Sequence, residues 1–374
     1  MATKKVGITG QNGFLGYHVY QTLKLYPNEF QVIEFDRTYF DDEEKMDTFT
    51  SNCDVIVHLA AVNRHPEEAE LYRINIDLTN KLIASLSRTK SKPHIILSSS
   101  SQEERDNLYG QSKREVRLAL ATWANSVASR FTGMIIPNVF GPFGQPFYNS
   151  VVATFCHQVS HNETPQIHID GHLKLIYVGE VVHEIIHSIR TEDNTHDKNL
   201  AHTAEAKVSE ILAKIQYYKE VYQEKGEFPV LSGSFDYQLF NTFRCYMNIE
   251  NYFPRKYVQH ADNRGVFVEI ARLGISGQVS YSTTVPGITR GNHFHTRKIE
   301  RFSVIKGKAL IQLRKIGTEE TLNFYLDGNE AAYVDMPIWY THNIKNIGEE
   351  VLYTIFWINE PFDPADPDTY FEVV

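Results

Sequence analysis

Three glycines near the N-terminus constrain the fold of this chain strongly. Residues 5–9 form a short apolar run, Gly10, Gly13 and Gly16 follow at three-residue spacing, and residues 17–25 have the period of an amphipathic helix. Gly10 permits a tight turn, Gly13 lets the backbone approach a pyrophosphate, and Gly16 lets helix and strand pack closely. A plain glycine-rich turn is the alternative for such a motif standing alone. The pattern predicts a strand, a phosphate-binding turn and a helix.

The next segments favour a dinucleotide as the ligand of this turn. A second apolar run, 31–35, ends at Asp36 and Arg37, about twenty residues after the glycines, where an adenosine ribose should lie. Asp36 suits the free 2′-hydroxyl of NAD and Arg37 suits the 2′-phosphate of NADP, so the pair leaves both open. Residues 54–61 and 93–97 are continuous apolar runs between helical segments. They predict a parallel sheet covered by helices on both faces.

A tyrosine and a lysine follow the run at 93–97. This run continues into four serines at 98–101, and Tyr109 and Lys113 then begin a helical stretch. Residues four apart on a helix share one face, so the Lys113 ammonium can lower the pKa of the phenol and hold a nicotinamide ribose. A solvated helix face is the alternative for this spacing alone. After the glycines and the serines it predicts a carbonyl-reducing site.

Three histidines and a glutamate suggest a second chemistry. His293 and His295 alternate along a strand and therefore point to one face, and Glu300 and His342 can close round the same divalent ion. The alternative is that these side chains belong to solvated strands. Mixed imidazole and carboxylate ligation suits zinc, iron, manganese or nickel.

Composition and length exclude several classes of protein. A chain of 374 residues favours two domains, and a net charge of −9 without a basic stripe argues against a nucleic-acid partner. Three widely spaced cysteines give no disulfide framework. Residues 1–5 lack signal-peptide features and no apolar run reaches membrane-spanning length, so we expect a cytoplasmic protein without a membrane partner.

The pattern changes near residue 250. Helix–strand alternation gives way to short β-rich runs separated by glycine turns, as expected for a sandwich or barrel. We therefore predict an α/β domain at 1–247, including a sugar-binding subdomain, and an all-β domain at 248–374.

The first domain resembles the extended short-chain dehydrogenase/reductase family, in particular its nucleotide-sugar branch. The motifs that carry the resemblance are Gly10-x-x-Gly13-x-x-Gly16, His58-Leu59-Ala60-Ala61, Asn75-x-x-x-Thr79, the serines at 98–101, Tyr109-x-x-x-Lys113, Pro137-Asn138-Val139-Phe140-Gly141-Pro142 and Ile176-Tyr177-Val178-Gly179-Glu180. It implies a doubly wound Rossmann sheet. Departures are Ile135 in place of the usual arginine and Gly179 in place of the usual aspartate.

This resemblance also implies residue roles. Tyr109 would be the general acid, Lys113 the partner that sets its pKa, Ser100 the assisting hydroxyl and Asn138 a contact to the substrate. The implied cofactor-binding residues are Gly10, Gly13, Phe14, Leu15, Gly16, Asp36, Arg37, Leu59, Ala60, Ala61, Tyr109 and Lys113. The implied cofactor is NADPH.

The second domain resembles the cupin jelly roll. Gly287, His293-x-His295, Glu300 and Gly307 fit the first cupin motif, and the second motif is fitted by Pro337, His342 and Asn346, with Trp339 where glycine is usual. This resemblance makes His293, His295, Glu300 and His342 the ligands of one divalent metal, with zinc expected.

Residues 262–269 are similar to the opening of cupins that epimerise nucleotide-linked 4-keto sugars. Arg264 and Arg290 are candidates to hold the diphosphate of such a substrate. Tyr340, Tyr281 and Lys298 are candidate proton carriers. Packing or surface exposure is the alternative for each of the five.

The order of the domains resembles the bifunctional capsular-polysaccharide UDP-sugar epimerase/reductases of the CapF type, most clearly at 337–344, 357–364 and 367–371. The resemblance implies a UDP-linked 4-keto-6-deoxy amino sugar, inverted at C3 by the cupin and reduced at C4 by the first domain to UDP-2-acetamido-2,6-dideoxy-L-talose. A homodimer is expected by analogy. Two alternatives are a reductase whose cupin only binds metal and dimerises, and a non-catalytic dinucleotide sensor.

Overall fold

The computed structural model describes residues 3–262, 265–268, 270–271, 273, 276–360 and 363–374. These residues form two compact units. The first contains the chain up to residue 154 together with 167–211, and the second contains 155–166 together with 212–374. The second unit thus includes residues from the chain N-terminal to 248. The domain limits 1–247 and 248–374 stay a prediction.

The β-strands fall into a group before residue 208 and a group after residue 254. The first group is β1 (Lys4–Thr9), β2 (Phe30–Ile33), β3 (Val55–His58), β4 (His94–Ser100), β5 (Phe131–Ile136), β6 (Asn138–Phe140), β7 (His172–Tyr177), β8 (Lys198–Asn199) and β9 (Ala204–Lys207). The second group is β10 (Arg255–Lys256), β11 (Gln259–Asp262), β12 (Gly265–Val268), β13 (Gln278–Thr284), β14 (Thr289–Phe294), β15 (Glu300–Lys306), β16 (Lys308–Lys315), β17 (Thr321–Asp327), β18 (Ala332–Met336), β19 (Tyr340–Asn346), β20 (Leu352–Ile358) and β21 (Tyr370–Phe371).

The α-helices connect the strands of the first unit and precede the strands of the second. They are α1 (Phe14–Lys24), α2 (Glu43–Ser51), α3 (Glu68–Thr89), α4 (Leu108–Val127), α5 (Val151–Ser160), α6 (Val178–Thr191), α7 (Val208–Tyr218), α8 (Gly233–Arg244) and α9 (Ile249–Tyr252). Short 3-10 helices cover Arg37–Asp41 and Ser101–Glu104, and a π-helical segment covers Lys219–Glu224.

A six-stranded parallel sheet in the order β2-β1-β3-β4-β5-β8 organises the first unit. Val55 and Val57 of β3 pack in one apolar cluster with residues of α1 and α6. Ile56, which alternates with them, packs in a second cluster with residues of α2, α3 and α4. Successive side chains of a strand point to opposite faces, so the sheet is covered on both. The predicted parallel sheet is confirmed.

Two five-stranded antiparallel sheets dominate the second unit, in the orders β10-β18-β15-β20-β13 and β17-β16-β19-β14-β21. Their inward side chains share one apolar core, to which Val304 and Val334 contribute from the first sheet and Ile311 and Ile344 from the second. The predicted change from an α/β region to a β-rich C-terminal region is confirmed. Within the described part of the chain, no helix is long and apolar enough to cross a bilayer.

Candidate active site and candidate metal centre

A crevice of about 800 Å³ lies in the first unit, where strands β1, β3 and β4 end. The glycine turn, the β3–α3 loop, the serines that end β4 and the start of α4 contribute side chains and backbone to it. The predicted residues that line the crevice are Gly10, Gly13, Phe14, Leu15, Gly16, Leu59, Ala60, Ala61, Ser100, Tyr109, Lys113 and Asn138. Parallel sheets bind ligands at the carboxyl ends of their strands, and this crevice occupies that position.

Close backbone contacts explain two of the three glycines. Gly10 has φ +78°, a left-handed conformation that favours glycine, and a Cβ there would come within 2.9 Å of the Ala60 nitrogen. A Cβ on Gly16 would lie 2.1 Å from the Gly10 carbonyl oxygen. Gly13 directly precedes helix α1, whose N-terminus therefore opens onto the crevice. This is the arrangement that a pyrophosphate requires.

Asp36 and Arg37 follow strand β2, which neighbours β1 in the sheet, and both are exposed. The Asp36 carboxylate accepts hydrogen bonds from the Thr38 nitrogen at 2.9 Å and the Thr38 hydroxyl at 2.6 Å. These bonds hold the pKa of Asp36 below its ordinary value. The carboxylate is thus engaged in starting a short helix, whereas no such local role is seen for Arg37 in the described structure.

Tyr109 and Lys113 lie together in the first turns of α4. The Tyr109 hydroxyl donates to Asn63 Oδ1 at 3.0 Å, and Lys113 Nζ donates to the Ser98 carbonyl at 3.3 Å. Burial raises the pKa of the Tyr109 phenol to about 12, and a hydrogen bond with the Ser100 hydroxyl opposes the shift. Burial lowers the pKa of Lys113 to about 8, and the Glu103 charge opposes this shift. The phenol pKa is therefore raised by burial, whereas the Tyr–Lys spacing alone predicts a lowered pKa.

Residues that the sequence analysis missed surround this pair. The Oδ1 atom of Asn63 accepts a hydrogen bond from the phenol, and the Asn63 backbone nitrogen donates to the Tyr148 hydroxyl at 3.2 Å. Glu103 is buried, accepts a hydrogen bond from Ser99, and forms an ion pair with Arg117 at 2.7 Å. These contacts join residues from separate loops and helices, so no local spacing signals them.

The three residues predicted to contact the substrate lie in different parts of the chain. Asn138 begins β6 in the crevice wall, and its Nδ2 donates to the Lys174 carbonyl at 3.1 Å. Arg290 of β14 donates from Nε to the Thr284 hydroxyl at 3.1 Å and from Nη2 to the Thr283 carbonyl at 3.0 Å. Arg264 lies outside the described residues.

The four predicted metal ligands meet in the second unit. His293 lies on β14, His295 follows that strand, Glu300 begins β15 and His342 lies on β19, and their ligand atoms lie within 4.8 Å of one another. Glu300 Oε2 is 3.1 Å from Nε2 of His295, 3.1 Å from Nε2 of His342 and 3.9 Å from Nε2 of His293. Ligand atoms about 2.0–2.2 Å from a tetrahedral ion stand at comparable separations from each other.

An irregularity in strand β14 determines which residue of β19 lies opposite His293. The register with β19 shifts between Gly291 and His293, which places His293 opposite His342. Gly291 has φ +98°, and a Cβ there would come within 2.8 Å of the His342 carbonyl oxygen. Bulges commonly redirect a side chain next to a functional site. Trp339, which stands where the cupin pattern has glycine, likewise adopts a positive φ of +62°.

The hydrogen bonds of the imidazoles test whether a cation fits. His295 Nδ1 is 2.5 Å from the Asp368 carbonyl oxygen and His342 Nδ1 is 3.2 Å from that of Tyr340, which assigns the proton of each neutral ring to Nδ1. The lone pair of each Nε2 then faces Glu300. Among the described residues, none gives the buried His295 Nε2 a well-formed hydrogen bond. A cation between these lone pairs and the carboxylate would relieve their repulsion, so the donor set fits a divalent metal.

The Glu300 carboxylate is held in its ionised form. Burial by itself would raise its pKa, but the Nε2–H groups of His293, His295 and His342, when those rings are protonated, donate to the carboxylate and keep its pKa well below the ordinary value. A bound cation would take the place of these protons and stabilise the same charge. A buried carboxylate that stays ionised is a suitable metal ligand.

The candidate proton carriers have different surroundings. Tyr281 is exposed on β13, and Lys298 is buried, with Nζ donating to the Pro367 carbonyl at 2.9 Å. Burial raises the pKa of the half-buried Tyr340. The backbone carbonyl of Tyr340 contacts Nδ1 of His342, and Lys298 lies two residues before Glu300, so both of these candidates adjoin the cluster along the chain.

Comparisons with known proteins match both parts of the chain to described families. Residues 6–201 match the NAD dependent epimerase/dehydratase family, and residues 260–370 match the polysaccharide biosynthesis C-terminal domain. Together with the fold, these matches define a nucleotide-sugar reductase/epimerase of polysaccharide biosynthesis.

Individual relatives extend the match to the whole chain. The chain is 32% identical over 369 residues to UDP-2-acetamido-2,6-beta-L-arabino-hexul-4-ose reductase of Pseudomonas aeruginosa, with 98% of each protein covered. It is 33% identical to the capsular polysaccharide assembling protein CapF of Staphylococcus aureus, whose crystal structure matches 99% of this chain and 100% of that chain with a TM-score of 0.63. Spore coat polysaccharide biosynthesis protein SpsL of Bacillus subtilis is 26% identical over 124 residues, 30% of this chain and 82% of that protein. The chain belongs to the CapF-like family of bifunctional epimerase/reductases.

Proposed function

We propose that this chain converts a UDP-2-acetamido-2,6-dideoxy-4-hexulose to UDP-2-acetamido-2,6-dideoxy-L-talose for capsule or O-antigen synthesis. The β-rich C-terminal domain, a cupin jelly roll in this proposal, inverts C3, and the N-terminal domain then reduces the C4 ketone with NADPH. The observation that carries the proposal is the presence in one chain of both a half-buried Tyr109 beside the buried Lys113 and a His₃Glu cluster. The name of the Pseudomonas aeruginosa relative supports a 4-keto sugar as the substrate.

The reductase step follows from the surroundings of Tyr109. NADPH held in the crevice would supply a hydride to C4, and the carbonyl oxygen would then need a proton. The phenol, whose pKa is raised to about 12, stays protonated at neutral pH and can donate that proton. The Ser100 hydroxyl would donate a hydrogen bond to the same oxygen. The ammonium of Lys113 offsets the phenolate charge that remains on Tyr109.

The epimerase step needs a ketone beside the carbon that inverts. A divalent ion held by His293, His295, Glu300 and His342 would supply Lewis acidity toward the C4 carbonyl, which makes the C3 proton more acidic. Tyr340 is our candidate to move this proton, because its backbone carbonyl contacts His342, whereas the Lys298 ammonium is bound to the Pro367 carbonyl. Reduction of the ketone removes that acidity, so epimerisation must come first and cannot reverse afterwards.

Further residues are proposed to bind the cofactor and the substrate. Arg37 is exposed after β2 and its guanidinium would bind the 2′-phosphate of NADPH, while Asp36 is engaged with Thr38. Asn138, Arg264 and Arg290 are proposed to contact the UDP-sugar. We also propose a homodimer and zinc as the bound metal.

Deuterium uptake tests the two activities separately. The full-length protein is incubated with the UDP-4-keto sugar in heavy water without NADPH, and deuterium at C3 is followed by NMR. We expect exchange in the parent protein and then NADPH oxidation when the cofactor is added. A protein that oxidises NADPH without catalysing exchange would contradict the epimerase function and favour a reductase with a structural metal. Exchange without NADPH oxidation would contradict the reductase function.

A further inference from the structure

The buried carboxylate of Asp368, near the C-terminus, accepts four hydrogen bonds. Asp368 is 2% exposed. Its Oδ1 accepts from the Thr296 nitrogen at 3.0 Å and the Thr296 hydroxyl at 2.6 Å, and its Oδ2 accepts from the Arg297 and Lys298 nitrogens at 3.0 Å each. Hydrogen bonds to a charged acceptor contribute more than neutral ones, and their buried donors lose them at a cost.

The same residue contacts a candidate metal ligand directly. The backbone carbonyl of Asp368 lies 2.5 Å from Nδ1 of His295 and so orients that ring with Nε2 toward Glu300. Partners of this kind fix the tautomer and direction of a metal-binding histidine. Asp368 adopts φ +41°, a conformation in which aspartate and asparagine are tolerated better than most residues.

The residues after Asp368 hold it in place. Strand β21 pairs with β14, so that Phe371 lies opposite His293. The Glu372 nitrogen donates to the Asn292 carbonyl at 3.0 Å, next to the bulge, and the Glu372 carbonyl accepts from the Thr341 hydroxyl beside His342. The C-terminal strand is thus attached to two of the strands that carry the cluster.

We propose that Asp368 is a positioning residue of the metal centre. The loop 296–298 joins His295 to Glu300, and the carboxylate of Asp368 fixes the backbone of all three loop residues. The carbonyl of Asp368 then sets the direction of the His295 ring. The inference rests on the proposed metal site. It assigns to the C-terminal segment the function of positioning a ligand of that site.

The charge of Asp368 can be removed with little change in shape. Asp368→Asn keeps the size and tolerates the positive φ, but it loses one anionic acceptor for the loop nitrogens. Asp366→Asn is the matched control, because the Asp366 carboxylate is 68% exposed and forms a surface ion pair with Arg297 at 2.8 Å. Thr296→Ala is a milder second variant that removes only the hydroxyl donor to Asp368.

Zinc affinity is measured on the full-length proteins by competition with a chromophoric chelator, and cobalt-loaded samples report ligand geometry through their visible absorption. We expect Asp368→Asn to weaken zinc binding about 10- to 100-fold and to alter the cobalt spectrum, as losses at such supporting residues typically do. Thr296→Ala should weaken binding less, and Asp366→Asn should match the parent.

Two results would overturn the inference. If Asp368→Asn and Thr296→Ala bind zinc like the parent with an unchanged cobalt spectrum, while His342→Ala loses the ion, the metal site stands and the role of Asp368 falls. If the parent itself binds no ion, both the metal site and the inference fall. Should Asp368→Asn not fold, Thr296→Ala decides between these outcomes.

Discussion

The crevice of the first unit favours the neutral form of its buried ionisable side chains, whereas the His₃Glu cluster of the second unit favours the charged form of its carboxylate. In the crevice, burial disfavours charge, raising the pKa of Tyr109 to about 12 and lowering that of Lys113 to about 8. In the cluster, three imidazoles outweigh burial and keep the Glu300 carboxylate ionised. The first arrangement retains a proton for donation, and the second assembles lone pairs around a place for a cation.

Under the proposed function, this difference lets one chain direct two different chemistries at the same ketone. Proton donation to an oxygen requires a phenol that stays neutral until the hydride arrives. A divalent ion polarises a carbonyl through its permanent positive charge, and the donor set of the cluster is suited to holding such an ion. Variants that affect one site should therefore leave the other chemistry largely intact.

The largest expected effect is on reduction. Tyr109→Phe removes the proposed proton donor, and NADPH oxidation with the keto sugar should fall by about 10²- to 10⁴-fold. Deuterium exchange at C3 should persist in this variant. Tyr72→Phe is a suitable control, since the Tyr72 hydroxyl bonds to Glu115 outside the crevice. Equal loss of exchange and reduction in Tyr109→Phe would break the separation of the two sites.

Loss of a metal ligand should give the reciprocal result. His342→Ala removes a fully buried imidazole of the cluster, so zinc affinity should fall by about 100-fold or more and C3 exchange should fall to background. Because bound metal stabilises only the folded state, the melting temperature should also fall, and added zinc should not restore it. The exposed His161 provides a control as His161→Ala. Equal melting of His342→Ala and the parent in zinc would count against a bound ion.

Cofactor choice should depend on Arg37. A hydrogen bond to a charged group contributes about 1.5–3 kcal/mol, so Arg37→Ala should raise KM for NADPH by roughly 10- to 100-fold. KM for NADH should change little, because NADH lacks the 2′-phosphate. KM for NADH, measured with the same variant, serves as the control. Parallel changes for NADPH and NADH would contradict the assignment.

The smallest expected effect is a pH dependence of cofactor binding. Lys113 loses its charge as pH rises through about 8, so affinity for NADPH should fall about tenfold between pH 7 and pH 9. The pKa of Lys113 in the folded protein lies below its ordinary value of 10.5, so between about pH 8 and pH 10.5 the unfolded chain binds more protons than the folded one. The contribution of Lys113 to the free energy of unfolding therefore rises with pH over this interval. Lys113→Met should flatten this part of both profiles, measured by fluorescence titration and denaturant unfolding. An unchanged profile in Lys113→Met would assign the dependence to another group.

The spacing of residues along the chain predicted the main helices, strands and turns, because each of these elements depends on residues that are close in sequence. The glycine turn, the parallel sheet and the β-rich C-terminal region follow from periods of two and 3.6 residues. The likeness to the CapF type is confirmed by the matches over the whole chain. His293 and His295 were expected to share a face, and the structure brings them together with Glu300 and His342. The roles of these residues stay predictions.

The sequence by itself determined which chemical groups are present and which of them share a strand or a helix face. Only the tertiary structure decided how they are supported: Asn63 meets Tyr109 across 46 residues of chain, and Asp368 meets His295 across 73. The Gly291 bulge sets the direction of His293. Such contacts depend on the packing of distant segments and on burial, which have no local period. For the same reason the pKa of Tyr109 is raised by its surroundings, although the spacing to Lys113 alone predicts the opposite.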